Sequence, residues 1–203
     1  MANTIIVVDE ADSKLGHFFQ ICIEDLNMFF NDINIHPTLL NSVKLNDLSV
    51  QLTTEPFESF VFGAYSHGNK NCLIKSNTSY VSTTINNTCF NNSFFYTFSC
   101  SSGYELGNNL IENGCLCFIG YNKIISIWNT HIKPFVICAN HGLKLFYHGL
   151  STFQIVTEMK KQYNQEIDDL YTKDFMIASI LRENRDALVK HGNDINIINL
   201  TNA

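Results

Sequence analysis

Apolar residues in this chain fall into two rhythms, unbroken short runs and three-and-four spacing, and the two alternate along its length. "TIIVVDE" (Thr4–Glu10) is a continuous apolar run closed by acids, which predicts a strand covered on both faces. "KLGHFFQICIEDLNMFF" then places Leu15, Phe18, Phe19, Cys22, Ile23, Leu26, Phe29 and Phe30 on one side of a helix. A short second strand is expected within Ile33–Val43, where Pro37 breaks any helix. "DLSVQLTTEP" reads as a short helix with Asp47 as its N-cap, closed before Pro56. Two more apolar runs, "FVFGAYSHGN" (Phe60–Asn69) and "FFYTFSCSSG" (Phe94–Gly103), predict buried strands. The Asn- and Thr-rich segment between them, Asn69–Asn92, is expected to carry a surface hairpin around Cys72–Ile74 and Tyr80–Thr83.

The second half keeps the alternation. A short helix at about Leu106–Asn113 has Gly114 as its stop, and "CLCFIGY" follows as a strand. "PFVICANHGLKLFYHGL" and "STFQIVTEMKKQYNQEI" are two helical patterns, the second opened by a capping box, Ser151 with Gln154. A helix near Asp174–Glu183 and a short strand near Ala187–Lys190 close the chain. Strands alternating with helices predict an α/β fold, a mostly parallel sheet with helices on both faces. No repeat or linker divides the chain, so residues 1–203 are read as a single domain.

Composition narrows the function. Against 13 basic residues stand 19 acidic ones, a formal charge of −6, and no cluster of Lys or Arg offers a nucleic-acid surface. Lys160-Lys161 reads as a solvated helix face. The acids after the first apolar run are wrong for a signal peptide, and no segment reaches the length of a bilayer span. The seven scattered cysteines are therefore expected to be reduced thiols in a cytoplasmic protein. Four glycosylation-like triplets, beginning at Asn77, Asn86, Asn91 and Asn199, are chance matches on that reading.

Two of the predicted strands end in reactive side chains, His67 and Cys100. Active sites of open α/β sheets form at the carboxyl edge, where neighbouring strands release their loops. If these strands are neighbours, an imidazole stands beside a thiol that is only a few per cent ionised at neutral pH by itself. His67 would act as general base and then acid, Cys100 as nucleophile. Gly68 lets substrate backbone approach, and its N–H with that of Cys100 would form an oxyanion hole. Each residue alone is more often structural, a buried thiol or a turn. The pair in this order is far less common.

Those two segments resemble the caspase-like cysteine peptidases of clan CD, in the branch that holds the CHAT peptidases and separase. The resemblance rests on a hydrophobic strand ending in His-Gly, a second ending in Cys, and the serines of "SCSSGYEL". It extends through "LIENGCLCFIGYNKIISIW", with Gly114 and Trp128, to the paired helices of "FVICANHGLKLFYHGLSTFQIVTEMKK" and the closing "ENRDALVKHGND". It implies a caspase-like three-layer sandwich and a cysteine endopeptidase with a Cys-His dyad, working without metal or organic cofactor. Its partner would be a protein or peptide substrate, with no nucleic acid and no membrane. It further implies a bacterial defence or stress system, antiviral defence included, in which a separate activator protein or small-molecule signal switches the peptidase on.

The pattern also departs from the family. No Gln precedes the nucleophile as in caspases, Phe98 stands where metacaspases often carry an acid, and "WNTHIKP" lacks the acids that follow the tryptophan in separases. Neither an acidic nor a basic cleavage preference is implied, and an uncharged or apolar one fits. Ser99, Ser101, Trp128, Asn129 and His131 are the candidates for touching substrate. The competing functions are a non-catalytic adaptor or regulatory domain of the same fold, and an acyltransferase or amidase using the same dyad.

Other candidates read as structural. Cys115 and Cys117 would share one face of a strand but lack further ligands at metal-site spacing. His141 and His148 lie seven apart on one flank of a helix. Asp9 and Glu10, at the active edge, are expected to cap the next helix. No glycine-rich nucleotide motif is present in the sequence.

Overall fold

The structure, a computed structural model, describes residues 2–200. The last glycosylation-like triplet ends at Thr201, outside the described residues. A six-stranded sheet forms the centre, in the order β2 (Thr38–Leu40), β1 (Asn3–Val8), β3 (Phe60–Tyr65), β7 (Ser93–Phe98), β8 (Cys117–Tyr121), β9 (Leu188–Gly192). All neighbours are parallel except β9, which runs antiparallel to β8. Between β3 and β7 the chain adds a three-stranded antiparallel sheet of β4 (His67–Gly68), β5 (Cys72–Lys75) and β6 (Thr78–Ser82).

Unbroken apolar runs make central strands because both faces of the sheet are covered. Ile6, Val8, Val61, Tyr65, Phe94, Tyr96 and Phe98 point to one side, into a core shared with α1 (Gly16–Asp32), α4 (Ile132–Tyr147), α5 (Thr152–Tyr171) and α6 (Phe175–Ala187). Ile5, Val7, Phe60, Phe62, Ala64, Phe95 and Phe118 point to the other, toward α2 (Asp47–Thr54), α3 (Leu106–Glu112) and the small sheet. Phe62, Phe90 and Phe95 meet with ring centroids 4.9 Å apart, a spacing typical of favourable aromatic pairs.

The helices follow their sequence signals. Ser151 and Gln154 form the capping box of α5, and Gly114, at φ +95°, takes the left-handed turn after α3. Asn140 of α4 donates to the Cys22 carbonyl and the Asp25 carboxylate of α1, both at 2.7 Å, and Lys144 bridges the same carboxylate.

Three expectations change. The N-cap of α2 is Asn46, whose Oδ1 accepts from the Ser49 N–H at 2.8 Å; Asn46 is the extended residue, and Asp47 is already helical. Asp9 and Glu10 do not cap α1. Their carboxyls both meet the Ser42 hydroxyl, at 3.0 and 2.9 Å, tying β1 to the segment after β2. Cys115 and Cys117 do not share a face, because β8 starts only at Cys117. Cys115 packs with the α3 side and Cys117 with the α5 side. His141 and His148 lie on α4 and its C-cap, with the His148 ring against Phe29 at 5.3 Å.

Gly142 decides how close α4 sits. A Cβ there would run into the Met159 sulfur and come within 2.8 Å of the Tyr96 ring. Gly142→Ala is expected to destabilise the fold by about 1–3 kcal/mol through overpacking, seen as a lower urea midpoint with an unchanged slope.

Candidate active site

Strands β3 and β7 pair in register over their whole length, from Phe60 opposite Ser93 to Tyr65 opposite Phe98. Both ladders therefore stop level. Two residues beyond the last pair come His67 after β3 and Cys100 after β7. Side chains continue the stitching where the ladder ends: Thr97 Oγ1 donates to the Ala64 carbonyl at 3.0 Å, and Ser99 Oγ to the Ser66 carbonyl at 2.9 Å.

The two loops are clamped to each other. Gly68 pairs with Leu73 of β5, and the Asn69 N–H donates to the Cys72 carbonyl at 2.9 Å. Bonded and non-bonded pairs alternate in an antiparallel ladder, so the Gly68 N–H faces away from β5. Residue 68 touches the turn at Cys100 directly: a Cβ there would stand 3.0 Å from both the Cys100 carbonyl oxygen and the Ser99 Cβ. One residue pair further out, the Lys70 carbonyl accepts from the Glu105 and Leu106 amides, at 3.1 and 2.8 Å. After Cys100 the backbone turns sharply. Ser101 takes φ +56°, a strained value for a residue with a side chain, and its N–H is held by the Lys123 carbonyl at 2.9 Å.

His67 is oriented by a residue the sequence reading passed over. Its Nε2 lies 3.1 Å from Asp12 Oδ2, while Asp12 Oδ1 accepts from the Leu15 and Lys14 amides at 2.6 and 2.9 Å. With Nε2–H donating to Asp12 Oδ2, Nδ1 of the neutral ring carries the lone pair. Burial raises the Asp12 pKa, but the two amides and the imidazole outweigh it, so the carboxyl lies below its ordinary value. Asp9 behaves oppositely. It is 1% exposed, its Oδ2 has no partner, and burial pushes it up against the weaker opposing pull of Ser42. The signal for Asp12 was present: an acid four residues past the end of a strand at the active edge, followed closely by a helix.

His67 and Cys100 line one cavity of about 280 Å³. The thiol is half-buried and points at the Ile125 carbonyl, 3.5 Å away. Burial pushes its pKa above the ordinary value, which the Ile125 backbone and its own amide offset only in part. Among the described residues no hydrogen bond joins imidazole and thiol; each is held by another partner, the Asp12 carboxylate and the Ile125 carbonyl. The cavity's far wall is the extended segment after β8. Buried Asn184 of α6 holds it by both backbone groups of one residue, accepting from the Ser126 N–H at 3.0 Å and donating to the Ser126 carbonyl at 2.7 Å.

Ser99 and Asn129 line the cavity; Ser101, Trp128 and His131 do not. Trp128 is 43% exposed, and the exposed His131 has its Nδ1 3.2 Å from Thr130 Oγ1. Among the described residues no group of three or more His, Cys, Asp or Glu side chains is placed to hold a metal ion, and no helix is long and apolar enough to cross a membrane. No protein-family model and no curated protein matches the chain.

Two expected outcomes follow from this geometry. Folding weakens proton binding at Asp12, so its stabilisation is complete above the ordinary carboxylate range and lost as pH falls through its depressed value. Folding strengthens proton binding at Asp9, so its contribution is greatest at low pH and is lost as pH rises through its raised value. A carboxyl-carbon NMR titration should accordingly find the Asp9 midpoint above, and the Asp12 midpoint below, the ordinary carboxylate value. Asn184→Ala should lower stability by about 1–3 kcal/mol, since it strips the partners from both the Ser126 N–H and the Ser126 carbonyl; chemical denaturation measures it.

Proposed function

We propose that the chain is a cysteine endopeptidase of caspase-like fold, with Cys100 as nucleophile and His67 as general base and acid. The observation that carries this reading is the placement of both side chains on one cavity, at the level ends of adjacent parallel strands. A thiol kept neutral by its surroundings gains nucleophilicity only if a base removes its proton as it attacks. His67 Nδ1 is the lone pair available for that step.

In the reaction, Cys100 Sγ bonds to the scissile carbonyl carbon while its proton passes to His67. Negative charge gathers on the carbonyl oxygen, beside the outward N–H of Gly68 and the N–H of Cys100. Each such donor is worth about 3 kcal/mol in a transition state. Collapse of the intermediate breaks the C–N bond, and His67 returns the proton to the departing amine. Water, deprotonated by the same imidazole, then hydrolyses the thioester. Asp12 holds the ring and steadies its positive charge. The raised thiol pKa suits an enzyme at rest, fitting the reading of a cytoplasmic peptidase that a separate signal activates in a bacterial defence or stress system.

The test is covalent labelling. The His67 side chain is 37% exposed and Cys100 is half-buried, so a peptidyl acyloxymethyl ketone reaches the site without an activator. Labelling should vanish in Cys100→Ala and slow by about 10²–10⁴-fold in His67→Ala. Labelling that persists in Cys100→Ala, with Cys100 unreactive, would leave the adaptor reading in its place.

A further inference from the structure

The cavity beside Cys100 is built for a particular kind of side chain. Its apolar walls are Leu15 and Phe19 from the start of α1, Phe98 from the end of β7, and Ile125 and Ile127 from the segment after β8; beside His67 and Cys100 the rest of the lining is Lys14, Ser66, Ser99, Ser126 and Asn129. Phe19, Phe98 and Ile125 are buried, at 1%, 3% and 9% exposure, so the apolar surface is continuous with the core. Phe98 is pinned between Phe18 and Tyr121, with ring centroids 5.1 and 5.3 Å away. The opposite wall is fixed through Asn184. The space of about 280 Å³ is roughly nine times a water molecule's share of the liquid, room for a side chain of the Leu-to-Phe size range.

Charge argues in the same direction. Among the described residues no Asp or Glu lines the cavity. The carboxylates near the site are engaged elsewhere: Asp12 holds His67 and two amides, and Asp9 sits buried on Ser42. An Arg or Lys side chain entering here would lose its hydration without gaining a carboxylate, and would meet the ammonium of Lys14. An acidic side chain would find only Lys14, exposed and screened by solvent, against the same loss of hydration.

Resting on the peptidase reading above, we propose that this enzyme selects an uncharged apolar residue, of the Leu, Met or Phe type, on the acyl side of the scissile bond. Phe98, Phe19 and Ile127 are the specificity-determining residues. The side chain buries against these walls, and its carbonyl carbon is thereby set beside Cys100 Sγ.

A series of fluorogenic peptide amides identical except for the residue bearing the leaving amine (Leu, Met, Phe, Gln, Arg, Lys, Asp) tests this. A matching set of acyloxymethyl ketones reports labelling of Cys100. Wild-type protein should favour Leu, Met or Phe over Arg, Lys and Asp by at least about tenfold in kcat/KM or labelling rate. Ile127→Asp, at a half-buried wall position, should move the ratio toward Arg by about tenfold. Fastest reaction with Arg, Lys or Asp, or Cys100-dependent reaction with no preference, overturns the specificity proposal alone. No Cys100-dependent reaction with any member of either series overturns the peptidase reading and the proposal with it.

Discussion

Two parallel strands that begin and end level must release their loops at one place, and the rest of this molecule is arranged around that constraint. The β3–β7 ladder has no slip from Phe60–Ser93 to Tyr65–Phe98. A shift by one residue would turn every side chain of one strand to the opposite face. Phe62 and Phe95 would leave one core and Tyr96 the other, so the hydrophobic patterning on both sides of the sheet fixes the register. The same packing that stabilises the sheet therefore sets His67 beside Cys100. Burial energy, not a contact between the two reactive groups, positions them.

Electrostatics refine what packing sets. Two carboxyls leave the end of β1 within four residues and meet opposite environments. Asp9 turns into the protein and loses water, which raises its pKa; Asp12 turns to two amides and an imidazole, which lower its own. Environments that push neighbouring acids apart separate a structural carboxyl from one that orients an imidazole. Phe19 packs edge-on to the His67 ring, with the centroids 6.3 Å apart.

Most of the fold was legible in the sequence, because a sheet covered on both faces leaves unbroken apolar runs and amphipathic helices leave three-and-four spacing. Even the three-residue β2 and the hairpin of β5 and β6 fell where the pattern pointed. What escaped was decided by single backbone geometries. Asn46 rather than Asp47 caps α2 because it is the extended residue of the pair. Cys115 and Cys117 face apart because the strand begins between them. In the site, His67, Cys100 and Gly68 stood out by residue type at strand ends. Asp12 and Asn184 did not. Asp12 lies in a loop whose direction depends on two amides of Lys14 and Leu15, and Asn184 meets Ser126 across 58 residues of chain. The Asn184 contact has no local signature, and for Asp12 the sequence marks an acid just past a strand end without the direction in which it turns.

The turn after Cys100 gives the serine-rich run a plain meaning. Ser101 is bent to a positive φ, Ser102 is buried with its hydroxyl on the Ser99 carbonyl, and a side chain at Gly103 would collide with Val189. Nothing in that run reaches toward a ligand. Its smallness is a clearance requirement at Gly103, where the Tyr121 backbone as well as Val189 stands in the way of any side chain. A bulkier residue there would press on the end of β8 before it touched anything that lines the cavity.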